Sequence, residues 1–493
     1  MVNGNGGPDP RKDAQMESGG FPLVAYETGT ARVVFERQRA AFLARPFLTI
    51  CERDAALLAI ETLLIDNNEK IAAAVSADFG QRSSQETRLL DIFPAVSGLA
   101  YARRHLKRWM RPQRRHTSLL FAGARSRVIS QPKGVVGIIS PWNYPLQLVL
   151  GPLTYALAAG NRCMIKMAAN AQGLCQLLSR LFRGVISEEL VAFMPGVPAS
   201  EFTALPFDHL VFTGSPASGR VVMRAAAEHL TPVTLELGGK SPTILAEDFD
   251  VVQAADRILY TKYMNAGQTC IAPDYLFAPQ TRVTAFIEQS RQMMQHRYPD
   301  IRSQDYTAII NDKAYARLMD GLADAEAKGA RIINLVAGSN PDPVHRKIPP
   351  TLVLDVHEGM QLMQEEIFGP ILPVMSYRSV DEVLAYINAR ERPLALYLFT
   401  HDRALQERVL YNTLSGGFGI NDCAVHFAQH DLPFGGVGNS GMGQYHAREG
   451  FLEFSKLRPV FTQAPRTMVA LMHPPYGRTF ERVFGWLMRL RHL

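Results

Sequence analysis

Cysteine is scarce in this 493-residue chain: there are five, Cys51, Cys163, Cys175, Cys270 and Cys423, with no CxxC pair and no His-rich ligand cluster among them. That spacing argues against a disulfide framework and against structural zinc, so no metal site is expected. Long apolar runs are missing too. No apolar run reaches the ~18 residues a membrane-spanning helix needs. Residues 1–20 are rich in Gly, Asp and Asn and lack the apolar segment of a secretory signal. They read as a disordered lead-in, and the protein as cytoplasmic. The 52 basic and 46 acidic residues are dispersed, without a Lys/Arg run or a basic stripe interleaved with aromatics. Nucleic acid is therefore not an expected partner. The GxGxxG turn of dinucleotide-binding folds is also absent, and LELGGKS is not a P-loop, because Thr234 stands where that loop needs its first glycine.

What is present is apolar bulk, 47% of residues against 20% charged, in a chain long enough for two or three cores. Helical spacing runs from Ala40 to about Leu106, with Gly80 placed to stop a helix. LLFAGARSRVISQPKG then predicts a protruding hairpin. From VVGIIS onward, short β-branched runs alternate with helical segments: RCMIKM, LVAFMPG and HLVFTG as strands, with AQGLCQLLSRLFRGV and PASGRVVMRAAAEHL as helices. A second series covers about Ser241 to Ile420. Repeated β-α-β units predict an α/β protein with two doubly wound parallel-sheet domains.

Several residues carry candidate chemistry. Cys270 lies in MNAGQTCIAPDY, a stretch that resists regular structure, where a thiolate would be a nucleophile. The other four cysteines are read as buried, inert thiols. In PVTLELGG, Val233, Leu235 and Leu237 alternate with Thr234 and Glu236, so Glu236 leaves its strand opposite its apolar neighbours. It is either a general base tuned by partial burial or a solvent-facing carboxylate. Asn143, in the Pro-bracketed loop SPWNYPL, either donates to a developing oxyanion or satisfies its own turn. Beside it, Trp142 reads as packing. In HLVFTGSPASGR, Gly214 ends a strand, Ser215 is an N-cap and Pro216 opens a helix, which fits a pyrophosphate or an ordinary capped helix. Lys166 ends RCMIKM, where it either donates to ribose hydroxyls or is a solvated surface lysine.

In their order and spacing, PWNYP, FTGS, LELGGKSP, GQTC, EEIFGP and PFGGVGNSGMG resemble the aldehyde dehydrogenase superfamily, over about residues 40–463. MNAGQTCIAPDY, RPLALYLFT, NDCAVHFAQHDLPFGG and EGFLEFSKLRPV are most similar to its class 3 branch and that branch's bacterial coniferyl aldehyde dehydrogenase-like members. The resemblance implies an NAD(P)-dependent enzyme that oxidises an aromatic or medium-chain aldehyde to the acid. It makes Cys270 the nucleophile, Asn143 and the Cys270 N–H the oxyanion donors, and Glu236 the base that activates water against a thioester. Trp142, Lys166, Gly214, Ser215, Glu366 and Phe368 would bind the cofactor. Tyr144, Leu148, Thr269 and Ile271 would line the aldehyde tunnel. The implied division is a Rossmann-like NAD(P)-binding domain (21–116 and 132–237), a catalytic domain (238–418), a small β bridging and oligomerisation unit (117–131 and 419–465) and an amphipathic tail (466–493). A homodimer is implied as well.

Two features depart from the family pattern. After Lys166 the chain reads KMAA, with Ala169 where the family carries the glutamate that binds adenosine ribose. Its loss removes a repulsion against a 2′-phosphate, so NADP is expected beside NAD; it also leaves open a cofactor-binding protein with lapsed catalysis. In the tail, Phe480, Val483, Phe484, Leu487 and Leu490 share one helical face, with Arg478, Arg482, Arg489 and Arg491 largely off it. That face would dock on protein or make a weak membrane-surface contact. The nearest enzymatic rival is a CoA-acylating dehydrogenase, which needs no hydrolytic base at Glu236.

Overall fold

The computed structural model describes residues 29–489. The expected lead-in at 1–20, and Leu490 and Arg491 of the tail, lie outside them. Helices open the described chain at Thr30–Ala44, Ile50–Asp66, Asn68–Phe79 and Phe93–Trp109. The first begins ten residues before the start of the helical spacing read at Ala40. Gly80 ends the third at φ +81°, a left-handed geometry that glycine adopts without a Cβ clash.

A six-stranded sheet follows in the spatial order Gly441–Met442, Val233–Leu237, His209–Gly214, Val135–Ser140, Arg162–Met167, Val191–Phe193; all pairs are parallel except the first. Its strands read as near-continuous apolar runs because helices cover both faces. Chain order runs outward from Val135–Ser140 in one direction, then returns to start the other side at His209–Gly214. This is a topological switch point, and the crevice beyond the carboxyl ends of these two strands is where doubly wound sheets bind ligands. Asn143 and Ser215 lie just past those ends.

The second sheet has seven strands, ordered Arg331–Asn334, Thr351–Leu354, Ile371–Tyr377, Tyr275–Pro279, Pro242–Leu245, Ala395–Phe399, Gly417–Ile420, parallel apart from the first pair. Gly238 and Gly239 carry the chain from one sheet to the other. A Cβ on Gly238 would lie 1.9 Å from a Glu366 carboxylate oxygen, so a side chain there would displace that carboxylate.

Gln113–Arg115, Arg125–Pro132 and Ser455–Thr462 form a separate antiparallel sheet. The stretch 419–465, read from sequence as one bridging unit, is therefore divided. Gly417–Ile420 closes the seven-stranded sheet, Gly441–Met442 pairs with Leu235 and Glu236, and only Ser455–Thr462 joins the hairpin. Short glycine-rich strands leave no hydrophobic pattern from which such pairings can be read. Cys163, Cys175 and Cys423 are buried, but Cys51 is exposed on the first turn of its helix, contrary to the sequence reading. No helix among the described residues is long and apolar enough to cross a membrane.

Candidate active site

The loop carrying Asn143 leads into the helix Gln147–Ala159, every residue of which is buried. Such a helix start needs partners for its free N–H groups, and no local cap supplies them. Asp91 does so from elsewhere, its Oδ1 accepting from Leu146 N at 3.1 Å and Gln147 N at 2.9 Å. Asp91 also pairs with Arg82 at 3.0 Å, both fully buried, and Arg82 donates to the Asn143 carbonyl at 2.9 Å. Neither Arg82 nor Asp91 was legible as a site residue, since nothing in their local pattern separates them from a solvated helix face.

Cys270 follows a turn in which Asn265, Ala266 and Gly267 all have positive φ. A Cβ on Gly267 would lie 2.2 Å from the Gly369 carbonyl oxygen. The Asn143 amide donates to the Gln268 carbonyl at 3.1 Å, joining the two loops two residues before the cysteine. Tyr144 and Thr269 hydroxyls lie 2.6 Å apart, and Tyr397 donates to the Ile271 carbonyl at 2.6 Å. Leu148 is buried one helical turn from Tyr144. Asn143, Tyr144, Thr269, Cys270 and Ile271 are thus brought together. Burial pushes the Cys270 thiol up to about 12, with Glu366 and Glu236 adding in the same direction, against hydrogen bonds from the Cys270 and Ile271 N–H groups.

Glu236 sits in register between Thr213 and Gly441, buried, with neither carboxylate oxygen partnered. Burial first, and then the charge of Glu453, raises its pKa well above the carboxylate range. It is a buried carboxyl, not the solvent-facing glutamate its strand pattern also allowed.

On the other side of the crevice, Ser215 accepts from Ser218 N at 3.3 Å and caps the 12-residue helix Pro216–Ala227. Just before Gly214, the Thr213 hydroxyl is buried without a partner. Lys166 is half-buried and donates to the Met167 carbonyl at 3.1 Å, while Ala169 is exposed. The Glu366 carboxyl is raised to about 8, chiefly by burial and then by Asp274; a hydrogen bond from Gly239 and the charges of Lys240 and Lys262 oppose the rise. Lys240 fixes that loop through the Leu362 and Glu365 carbonyls. The Phe368 and Trp142 rings meet edge-on at 5.5 Å, and Trp142 also packs on Phe79. A capped helix N-terminus at the switch point, an orphaned hydroxyl beside it and a half-buried lysine fit an anionic dinucleotide.

The profile of the aldehyde dehydrogenase family matches residues 26–460. The chain belongs to that family. This aldehyde dehydrogenase is 47% identical over 460 residues to the probable coniferyl aldehyde dehydrogenase of Pseudomonas aeruginosa, covering 93% of this chain and 96% of the relative. It is 42% identical to the coniferyl aldehyde dehydrogenase of a Pseudomonas species, covering 95% and 98%. The substrate-bound structure of Staphylococcus aureus AldH superposes with a TM-score of 0.87 at 34% identity, covering 92% of this chain and 99% of that one. A Mycobacterium tuberculosis aldehyde dehydrogenase complexed with NAD+ superposes at 0.79 and 29% identity, covering 88% and 90%. The enzyme is an oxidoreductase that oxidises aldehydes with NAD(P)+.

Proposed function

We propose that Cys270, once its thiol has given up its proton, attacks the aldehyde carbonyl as the thiolate to form a thiohemiacetal whose oxyanion is held by the Asn143 amide and the Cys270 N–H. The observation that carries this reading is the junction of the two loops. Asn143 is anchored to the Gln268 carbonyl beside Cys270, with Glu236 buried within charge range of the thiol. Preorganised donors of this kind stabilise charge that develops only in the transition state. Lys166, Gly214 and Ser215 would hold the adenosine and pyrophosphate end of the cofactor, and Trp142, Glu366 and Phe368 its nicotinamide end. When bound, NAD(P)+ would supply the acceptor for the hydride that leaves the former aldehyde carbon. The protein is left with a Cys270 thioester, and Glu236 takes a proton from the water that hydrolyses it. A base at Glu236 favours release of free acid over acyl transfer to CoA.

The substrate we propose is an aromatic aldehyde of the coniferyl type, as in the names of the relatives at 42–47% identity, entering between Tyr144, Leu148, Thr269 and Ile271. Medium-chain aliphatic aldehydes are the alternative. Exposed Ala169 supports use of NADP beside NAD. The division into domains follows the three sheets, and a homodimer is the proposed assembly. A steady-state panel of aromatic and aliphatic aldehydes, run with NAD or NADP and with or without CoA, tests the whole reading. Free acid from an aromatic aldehyde without CoA is the expected product. Acyl-CoA formation alone, or no turnover across the panel, contradicts it.

A second reading concerns the tail helix Arg478–Arg489, which leaves Phe484, Trp486 and Met488 exposed beside Arg478, Arg482 and Arg489. This supports contact with an anionic membrane surface. Flotation of the full chain with anionic liposomes, compared with a truncation before Pro475, tests it; equal flotation of both removes the reading.

A further inference from the structure

We propose that Glu86 is a positioning residue for this reaction: its carboxylate holds the left-handed turn Asn265–Gly267 so that the Asn143 amide and the Cys270 N–H converge on one oxyanion. The inference rests on the roles proposed above for Cys270 and Asn143.

Asn265, Ala266 and Gly267 have φ of 53°, 50° and 74° in succession, a conformation that residues with side chains avoid and that persists only where surrounding contacts enforce it. On the Asn265 main chain Gln268 Nε2 donates to the carbonyl at 3.0 Å, and the N–H is held by Glu86, whose Oε1 accepts it at 2.9 Å and whose Oε2 accepts from the Thr307 hydroxyl at 2.6 Å. Fixed in this way, the Asn265 side chain donates to the Asn143 carbonyl at 3.0 Å and the Gln268 carbonyl at 3.2 Å. That Gln268 carbonyl is the same group that anchors the Asn143 amide. One carboxylate therefore stands behind both proposed oxyanion donors without touching either.

Glu86 is itself held rigidly. It lies in the helical turn Ser84–Thr87, ahead of a single π turn, Arg88–Ile92, a feature frequent at functional sites. Asp91 in the π turn carries the Arg82 pair and the cap of the Asn143 loop. The preceding residues are stitched to the far wall. Ala308 N donates to the Gln81 carbonyl at 3.0 Å, and Arg346 bridges the Phe79 and Ile309 carbonyls. The segment 79–91 thus links the opening helices to both catalytic loops.

The test compares Glu86→Ala, Glu86→Gln and Thr307→Val in the full chain, by kcat, cofactor KM, the rate of the first-turnover NAD(P)H burst, and alkylation of Cys270 by iodoacetamide, a reaction that needs no oxyanion donor. Glu86→Ala is expected to lower kcat and burst rate together by about tenfold or more, as a small misplacement of reacting groups does. Cofactor KM and alkylation rate should stay within about twofold. Glu86→Gln, whose amide oxygen still accepts from Asn265, should recover most of the rate. If Glu86→Ala does not fold, Thr307→Val, which removes one of the two anchors, should still lower kcat about threefold. Unchanged kcat per burst-titrated site in the foldable variants overturns the inference, even if their thermal stability falls. The parent reading fails separately, if Cys270→Ala retains turnover.

Discussion

The Asn143 Nδ2 group donates to the main-chain carbonyl of Gln268 at 3.1 Å, across 125 positions of sequence. An amide NH2 has two donors, so one orients the side chain while the other is left for an acceptor beside Cys270. Replacing Asn143 with Ala removes both the anchor and the donor. We expect kcat to fall on the order of 100- to 1,000-fold, with cofactor affinity, measured by fluorescence titration, little changed.

Glu236 is expected to sacrifice stability for function. In the folded chain its carboxyl keeps its proton to a pH well above that at which the unfolded chain releases it. Stability is therefore fully present at low pH and is lost as pH rises through the interval between the two values. Glu236→Gln escapes that loss. Its Tm should exceed that of the wild type by a margin that grows with pH, and its steady-state turnover should collapse while the first-turnover burst persists. A wild-type rate that rises with pH is expected from the same group, because only its ionised form accepts a proton.

The Arg82–Asp91 pair is fully buried, so removing one partner strands a charge. Asp91→Ala should cost about 3–5 kcal/mol in denaturant unfolding. A double replacement by apolar residues, Arg82→Met with Asp91→Leu, should recover the part of that loss due to the stranded charge, but not the part due to the Leu146 and Gln147 N–H groups that Asp91 capped. It should not recover kcat, since the Arg82 bond to the Asn143 carbonyl is gone.

Exposed Ala169 sets the fourth expectation. Ala169→Glu restores a carboxylate for ribose hydroxyls and a repulsion against a 2′-phosphate. The ratio of kcat/KM for NAD over NADP should rise about tenfold or more.

Much of this was legible in the sequence. The strands Val135–Ser140, Arg162–Met167 and His209–Gly214, and the helices between them, follow from β-branched runs and glycine stops, because local pattern and tertiary burial agree there. The loop positions of Cys270 and Asn143 were readable for the same reason. The strand pattern of Glu236 left its burial open, because Thr234 and Glu236 face a polar but enclosed interior: Thr234 donates to Glu453 at 2.7 Å. Alternation separates apolar from polar faces and does not say which polar face is dry. Arg82, Glu86 and Asp91 were invisible because their partners, Asn143, Asn265 and Leu146, are distant in the chain. The pairing of Gly441 with Glu236 was hidden for the same reason.

The most direct test of the central claim is mass spectrometry of the Glu236→Gln enzyme, acid-quenched after one turnover with aldehyde and NAD(P)+. The account predicts an acyl group on the peptide carrying Cys270, accumulating because hydrolysis is slowed. An acyl group on any other residue, or a full burst of NAD(P)H with Cys270 unmodified and free acid released at the wild-type rate, would contradict it.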